Sequence, residues 1–188
     1  MITKIALITG NEGKAREYAS LLGTPVTPVC EDLVEIQSLD VTEVVRRKAA
    51  EAYRLLGSPV LVDDTGLTLD AWNGFPGALI RWVLKARGVD GVLTMVGDDP
   101  ARAATVTTAI GYADAHGDVQ VFTGSLHGTI APEPRGDNGF GYDSIFVPSS
   151  GDGRTYAEML PEEKNAISQR RLAVDALRKG LDLAPTNA

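Results

Sequence analysis

The chain has 188 residues, 44% of them hydrophobic, and a formal net charge of −7. That length and apolar content suffice for a real core in a single domain spanning residues 1–188, whereas the acidic balance argues against nucleic acid as partner, because affinity for a polyanion comes from clustered Lys and Arg displacing counterions. No stretch approaches the apolar length of a membrane span, no basic leader precedes the first apolar run, and the lone Cys30 cannot close an internal disulfide, so the expectation is a soluble cytoplasmic protein with Cys30 buried in a strand.

Residues 4–8 form a run of strand length that stops at Thr9-Gly10-Asn11. Over residues 13–22, Ala15, Tyr18, Ala19 and Leu22 recur at helical spacing, and Gly23 closes the segment. A strand leading through Gly10 into a helix leaves unpaired N–H groups at the turn, where the helix dipole favours an anion and Lys14 can reach it. Thr9, Gly10, Asn11, Glu12, Gly13 and Lys14 are therefore a candidate phosphate cradle. Their spacing is neither a Walker A loop nor a dinucleotide fingerprint, and an ordinary strand-to-helix turn reads the same way. Glu35, after Leu33-Val34, offers an oxygen ligand of the kind Mg²⁺ prefers, or is a surface acid.

Val41–Leu56 reads as a second amphipathic helix carrying Lys48, with Thr42 as N-cap and Gly57-Ser58-Pro59 as its stop. Val60-Leu61-Val62 is a buried strand that ends in Asp63 and Asp64. Alternation sends these two side chains to opposite faces, so only one enters a given site. A carboxylate at the C-terminal edge of a sheet strand is where open α/β folds place ligands.

Residues 79–87 and 89–96 read as two helices parted by Gly88. Ala103–Ala113 and Val119–Ile130, rich in Val, Thr and Ile around a turn at 114–118, predict an antiparallel pair and so exclude an all-parallel sheet. A further strand is expected over 140–147. Where it begins, Gly139-Phe140-Gly141-Tyr142-Asp143 sets two aromatics between glycines that let backbone approach a flat ligand, with buried turn aromatics as the competing reading. A final helix over 162–179 is expected to turn its charges to solvent. It carries Lys164 and Ser168-Gln169-Arg170, where an arginine suits a carbonyl on a base edge. Residues 183–188 read as a frayed tail. The sum is an α/β fold with a mixed central β-sheet flanked by helices, two lobes around a cleft.

Taken together, the segments offer N–H groups and a lysine for phosphate, carboxylates for a divalent metal, and aromatic faces for a base. At this point the residues resemble the inosine triphosphate pyrophosphatase family, the non-canonical purine NTP pyrophosphatases or dITP/XTP pyrophosphatases. Thr9, Asn11 and Lys14 match its opening T-x-N-x-x-K, and Asp64-Thr65-Gly66-Leu67 its acidic element. Pro76-Gly77 matches a Pro-Gly element and Phe140-Gly141-Tyr142-Asp143 an F-G-[YW]-D element. Ala157-Glu158-Met159, Glu163-Lys164-Asn165 and Ser168-Gln169-Arg170 match its ending.

The resemblance implies an ITPase-like fold and a hydrolase. ITP, dITP or XTP would be cleaved between the α- and β-phosphates, giving monophosphate and pyrophosphate, with Mg²⁺ required and the nucleotide pool cleansed. It further implies a homodimer acting on a small-molecule nucleoside triphosphate. By position, Asp64 becomes the proton acceptor and metal-linked carboxylate, Glu35 a metal ligand, and residues 9–14 the phosphate cradle. Lys48 and Lys164 become further substrate contacts, Thr65 touches substrate, Phe140, Gly141, Tyr142 and Asp143 line the base, and Arg170 reads the 6-keto oxygen. Two positions depart from the pattern: Gln169 stands where the family has histidine, so that either its amide keeps the base contact or discrimination against adenine is weaker, and Arg81, with its wider planar fork, stands where some relatives have lysine or another residue. A nucleotide-binding sensor without turnover and a pyrophosphatase for modified pyrimidine triphosphates are the alternatives from the residues alone.

Overall fold

The structure is a computed structural model and describes residues 5–23, 26–31 and 33–182. The expectations for residues 1–4 and for the tail at 183–188 lie outside the described residues. In chain order the elements are β1 (Ile5–Ile8), α1 (Glu12–Leu22), β2 (Val26–Val29), α2 (Val41–Leu56), β3 (Val60–Leu69), β4 (Pro76–Gly77), α3 (Ile80–Val96), β5 (Ala103–Ala113), β6 (Val119–Ile130), β7 (Phe146–Pro148), α4 (Pro161–Ile167) and α5 (Gln169–Gly180). The strands form one sheet in the order β2-β1-β3-β5-β6-β7, with β4 beside β3. β1 pairs in parallel with β2 and β3, and the remaining pairs are antiparallel. The expected mixed sheet flanked by helices is what the chain forms.

Several local expectations are corrected. The N-cap of α2 is Asp40, whose carboxylate accepts the Thr42 N–H at 2.7 Å and the Thr42 hydroxyl at 2.8 Å, so Thr42 sits inside the helix. A carboxylate meets the positive end of the helix dipole better than a hydroxyl. Residues 140–145 are turn, and only Phe146–Pro148 pairs with β6. The helix expected over 162–179 is two, because Ser168 is extended (φ −68, ψ 157) and its hydroxyl accepts the Arg171 N–H at 3.2 Å to start α5. The strand expected to hold Cys30 is the short edge strand β2, which ends at Val29; Pro28 breaks its pattern, and proline within a strand is tolerated at an edge. The division at Gly88 holds, since that residue leaves the helical region (φ 60, ψ −154).

Three apolar clusters hold the sheet. On one face α2 packs Val44, Val45 and Ala49 against Val60, Val62 and Ala109. On the other, Tyr18 of α1 with Val174 and Leu177 of α5 covers Leu7, Leu61 and Ile110. The α5 backbone comes so close to β6 that a Cβ on Gly124 would collide with Gln169 and Ala173. A third cluster gathers Leu67, Leu69, Val106, Ile130, Phe146 and Tyr156 under α3.

β3 threads all three clusters. Its residues 60–62 belong to the first two and Leu67 and Leu69 to the third, leaving Asp63, Asp64, Thr65 and Gly66 as a polar waist. β1 stops at Ile8 opposite Val62, and β4 resumes the pairing at Leu67. Between those points, among the described residues, one edge of β3 has no neighbouring strand, and there the cleft opens.

Candidate active site

The cleft holds about 800 Å³ and is walled by the turn after β1, the loop before α2, the waist of β3, the start of α3, the turn at 140–143 and the junction of α4 with α5. That volume lies within the range of small-ligand pockets. The turn after β1 is self-supporting: Thr9 Oγ1 accepts the Asn11 N–H at 3.1 Å, and Asn11 Oδ1 caps α1 by accepting the Lys14 N–H at 3.1 Å. The helix therefore begins at the cleft wall, its N-terminal dipole facing inward. Phe140 lies over this start, and a Cβ on Gly13 would come within 2.7 Å of its ring.

Charges of alternating sign run through one wall. Lys14 Nζ donates to Asp63 Oδ1 at 3.0 Å and Arg170 Nη2 to Asp63 Oδ2 at 3.3 Å. Arg170 Nη1 pairs with Glu17 at 3.1 Å, and Lys164 Nζ donates to both Glu17 and Asp143 at 2.7 Å. Lys164 also stands 4.8 Å from the Phe140 ring centre, within cation–π range. On the opposite wall Glu35 accepts from Lys48 Nζ and from Arg81 Nη1, the latter at 2.8 Å.

These pairings divide the carboxylates. Burial pushes Asp63 up, but the charges of Lys14 and Arg170 outweigh it and hold the group below the usual carboxylate range. Burial also pushes Glu35 up, and Lys48 and Arg81 overcome it in the same way. Asp64 goes the other way. Its burial raises it more than Lys14, Lys48 and the Thr65 N–H lower it. The only hydrogen bond of its carboxylate among the described residues is the one Oδ1 accepts from that N–H at 2.8 Å, which leaves Oδ2 free at the cleft. A half-buried carboxylate with a free oxygen and a raised pKa suits proton acceptance, while the paired Asp63 suits holding cations in place.

The model of the Ham1 family matches residues 5–180. The chain belongs to the Ham1 family. It is 44% identical over 177 residues to inosine triphosphate pyrophosphatase 2 of Trypanosoma cruzi, covering 93% of this chain and 90% of that protein. It is 40% identical over 180 residues to the dITP/XTP pyrophosphatase of Hyperthermus butylicus, covering 94% of each. A HAM1 protein from Coxiella burnetii superposes with a TM-score of 0.82 at 34% identity, over 96% of this chain and 99% of that one.

In this Ham1 chain, nearly all the residues singled out from sequence line one cleft. Glu12 does not: it is exposed and pairs with Arg16 at 3.6 Å on the outer side of α1. Gly13 lies behind the wall, under Phe140. Asp63 and Asp64 do not end their strand, which runs on to Leu69. Alternation does set them on opposite faces, with Asp63 and Thr65 toward Arg170 of α5. Both nevertheless line the cleft, because it wraps around the bare edge of β3. Lys164 and Arg170 line the cleft as the resemblance implies, and against the reading of a helix whose charges face solvent they are 5% and 2% exposed, drawn inward by Glu17, Asp143 and Asp63. Cys30 is exposed in the cleft wall beside Gly10, not buried in a strand, because β2 ends at Val29.

Sequence reading missed Glu17, Asp63 and Tyr156. Glu17 carried a usable signal, since it lies three residues after Lys14 and so on the same helix face. Asp63 was set aside by the assumption that a site takes only one face of a strand. Tyr156 lies in a short 3₁₀ turn, Tyr156–Glu158, and carries no sequence pattern of its own.

Proposed function

We propose that this chain hydrolyses non-canonical purine nucleoside triphosphates, with ITP, dITP and XTP as substrates, to the monophosphate and pyrophosphate, and that Asp64 accepts the proton of the attacking water. The observation that carries the reading is the contrast inside one cleft: Asp63 and Glu35 are neutralised by cations, while Asp64 keeps a free oxygen and a raised affinity for a proton. The names of the relatives supply the substrate class.

The donor set fits Mg²⁺. Among the described residues no three His, Cys, Asp or Glu gather into a cluster, as an all-protein metal cage would need. Asp64 and Glu35 instead offer hard oxygen atoms in a cleft with room for phosphates, and Mg²⁺ is usually held by one or two carboxylates plus substrate phosphate. Those two residues would hold it. When bound, the ion would neutralise charge that builds on the phosphate oxygens.

The chain's own groups do the rest. The start of α1 and Lys14 take the phosphates, where the helix dipole and the ammonium favour negative charge. Lys48 and Arg81 exchange Glu35 for phosphate oxygens as the substrate arrives, which also frees Glu35 for the metal. Phe140 stacks on the base, and Arg170, held by Asp63 and Glu17, offers N–H groups to a base carbonyl. Adenine presents an amino group where hypoxanthine and xanthine present oxygen, so a buried donor there is left unpaired at a cost of about 1–3 kcal/mol.

The same reading takes the protein as a cytoplasmic homodimer, which a sedimentation measurement of mass checks. The activity is tested with purified chain and Mg²⁺ on a panel of ITP, dITP, XTP, ATP and a methylated pyrimidine triphosphate. Pyrophosphate released preferentially from the first three supports the reading. Release from none of them, or preference for the pyrimidine, sinks it.

A further inference from the structure

We infer that Gln169 fixes the direction of the hydrogen bond at the Tyr142 hydroxyl, so that this phenol presents its proton to the cleft and selects a ligand edge carrying an oxygen there. The inference rests on the reading of the cleft as a keto-purine triphosphate site and adds to it a residue that governs the choice of base.

Three buried polar side chains meet at the cleft wall, Tyr142 and Gln169 lining it and Tyr156 behind them. Tyr156 is 0% exposed, Gln169 3% and Tyr142 6%. Tyr156 donates its hydroxyl proton to Gln169 Oε1 at 3.0 Å, and Gln169 Nε2 donates to the Tyr142 hydroxyl at 3.5 Å. A carboxamide has one accepting end and one donating end and cannot exchange them by moving a proton. With the amide oxygen turned to Tyr156 and its nitrogen to Tyr142, the polarity follows from the amide's orientation: Tyr156 gives to the amide, and the amide gives to Tyr142. A phenol whose oxygen already accepts still has its own proton to donate. Among the described residues no protein acceptor takes that proton, and Tyr142 lines the cleft.

Burial, with the charge of Asp143 second, holds Tyr142 well above the ordinary phenol range, so the donor persists at any working pH. Histidine at position 169 would act differently, since an imidazole can donate or accept at either nitrogen and becomes doubly donating when protonated. Gln169 thus acts through Tyr142 as a positioning residue. A ligand with an amino group opposite Tyr142 sets donor against donor, which removes the hydrogen bond and leaves both groups unsatisfied.

The test is the ratio of kcat/KM for ITP over ATP, with pyrophosphate detection, in wild type, Tyr142→Phe, Gln169→Glu and the double variant. Tyr142→Phe deletes only the hydroxyl and is the variant least able to disturb folding. The ratio is expected to fall about tenfold, as the loss of one hydrogen bond predicts. Gln169→Glu has no donating end, so Tyr142 must spend its proton on the carboxylate. The ratio is then expected to fall by a similar factor, and the double variant to fall no further than either. A purely structural role at the two sites would give additive losses. If wild type prefers ITP and Tyr142→Phe keeps the full ratio, the inference is overturned while the proposed function stands. If wild type releases no pyrophosphate from ITP, both fall.

Discussion

Two neighbouring aspartates carry opposite assignments, and their substitutions are expected to separate cleanly. Asp64→Asn removes the proton acceptor while keeping the shape of the side chain. Turnover of ITP is expected to fall about 10²–10⁴-fold, with nucleotide binding retained when measured by calorimetry. Asp63→Asn should act on the fold instead. Asp63 is 2% exposed and pairs with Lys14 and Arg170. Removing one partner of a buried ion pair costs about 3–5 kcal/mol, visible as a lowered denaturation midpoint. The sign of its pH dependence follows from its lowered pKa in the folded chain. The stabilisation from Asp63 is present above the ordinary aspartate pKa of about 3.9 and is lost as pH falls through its lower folded value. Wild-type stability should therefore drop more steeply below about pH 4 than that of Asp63→Asn, as urea midpoints across that range would reveal.

At the level of elements, the join between α4 and α5 sets the direction of Gln169 and Arg170. Ser168 stops one helix and caps the next, its hydroxyl accepting the Arg171 N–H at 3.2 Å. Ser168→Ala is expected to cost about 1 kcal/mol, the usual worth of an N-cap, and to raise KM for ITP because Arg170 lies in the first turn of the capped helix. Gly124→Ala should cost about 1–3 kcal/mol through overpacking, since a methyl there meets the α5 backbone; thermal unfolding checks it. These details also mark how far the chain could be read without coordinates. The β5–β6 hairpin and the span of α2 were plain, because long periodic segments with local turn chemistry announce themselves. The break at Ser168 was not, because helical periodicity continues across it and only its cap geometry interrupts the backbone. Likewise, motifs could assign Lys164 and Arg170 to the cleft, but the buried ion pairs that hold them there could not be read. Their partners Glu17, Asp63 and Asp143 come from distant parts of the sequence, and nothing local distinguishes a lysine that finds a buried carboxylate from one that finds water.

Over the whole molecule, β3 joins the apolar clusters with a polar waist between them, so a ligand filling the cleft should stabilise the fold on both sides at once. A non-hydrolysable ITP analogue with Mg²⁺ at about a hundred times its Kd is expected to add about 2.7 kcal/mol, read as a raised melting temperature. A chelator should remove most of that gain if the carboxylates and the phosphates share the ion. The cleft also draws on residues from Thr9 to Arg170, close to both ends of the chain. During synthesis the last contributors emerge only after every strand has left the ribosome. Until α5 docks, Asp63 and Glu17 lack the Arg170 guanidinium that accompanies them in the finished protein. A nascent chain arrested before that helix should therefore be inert toward nucleotides, with competence arriving as a single event when α5 docks.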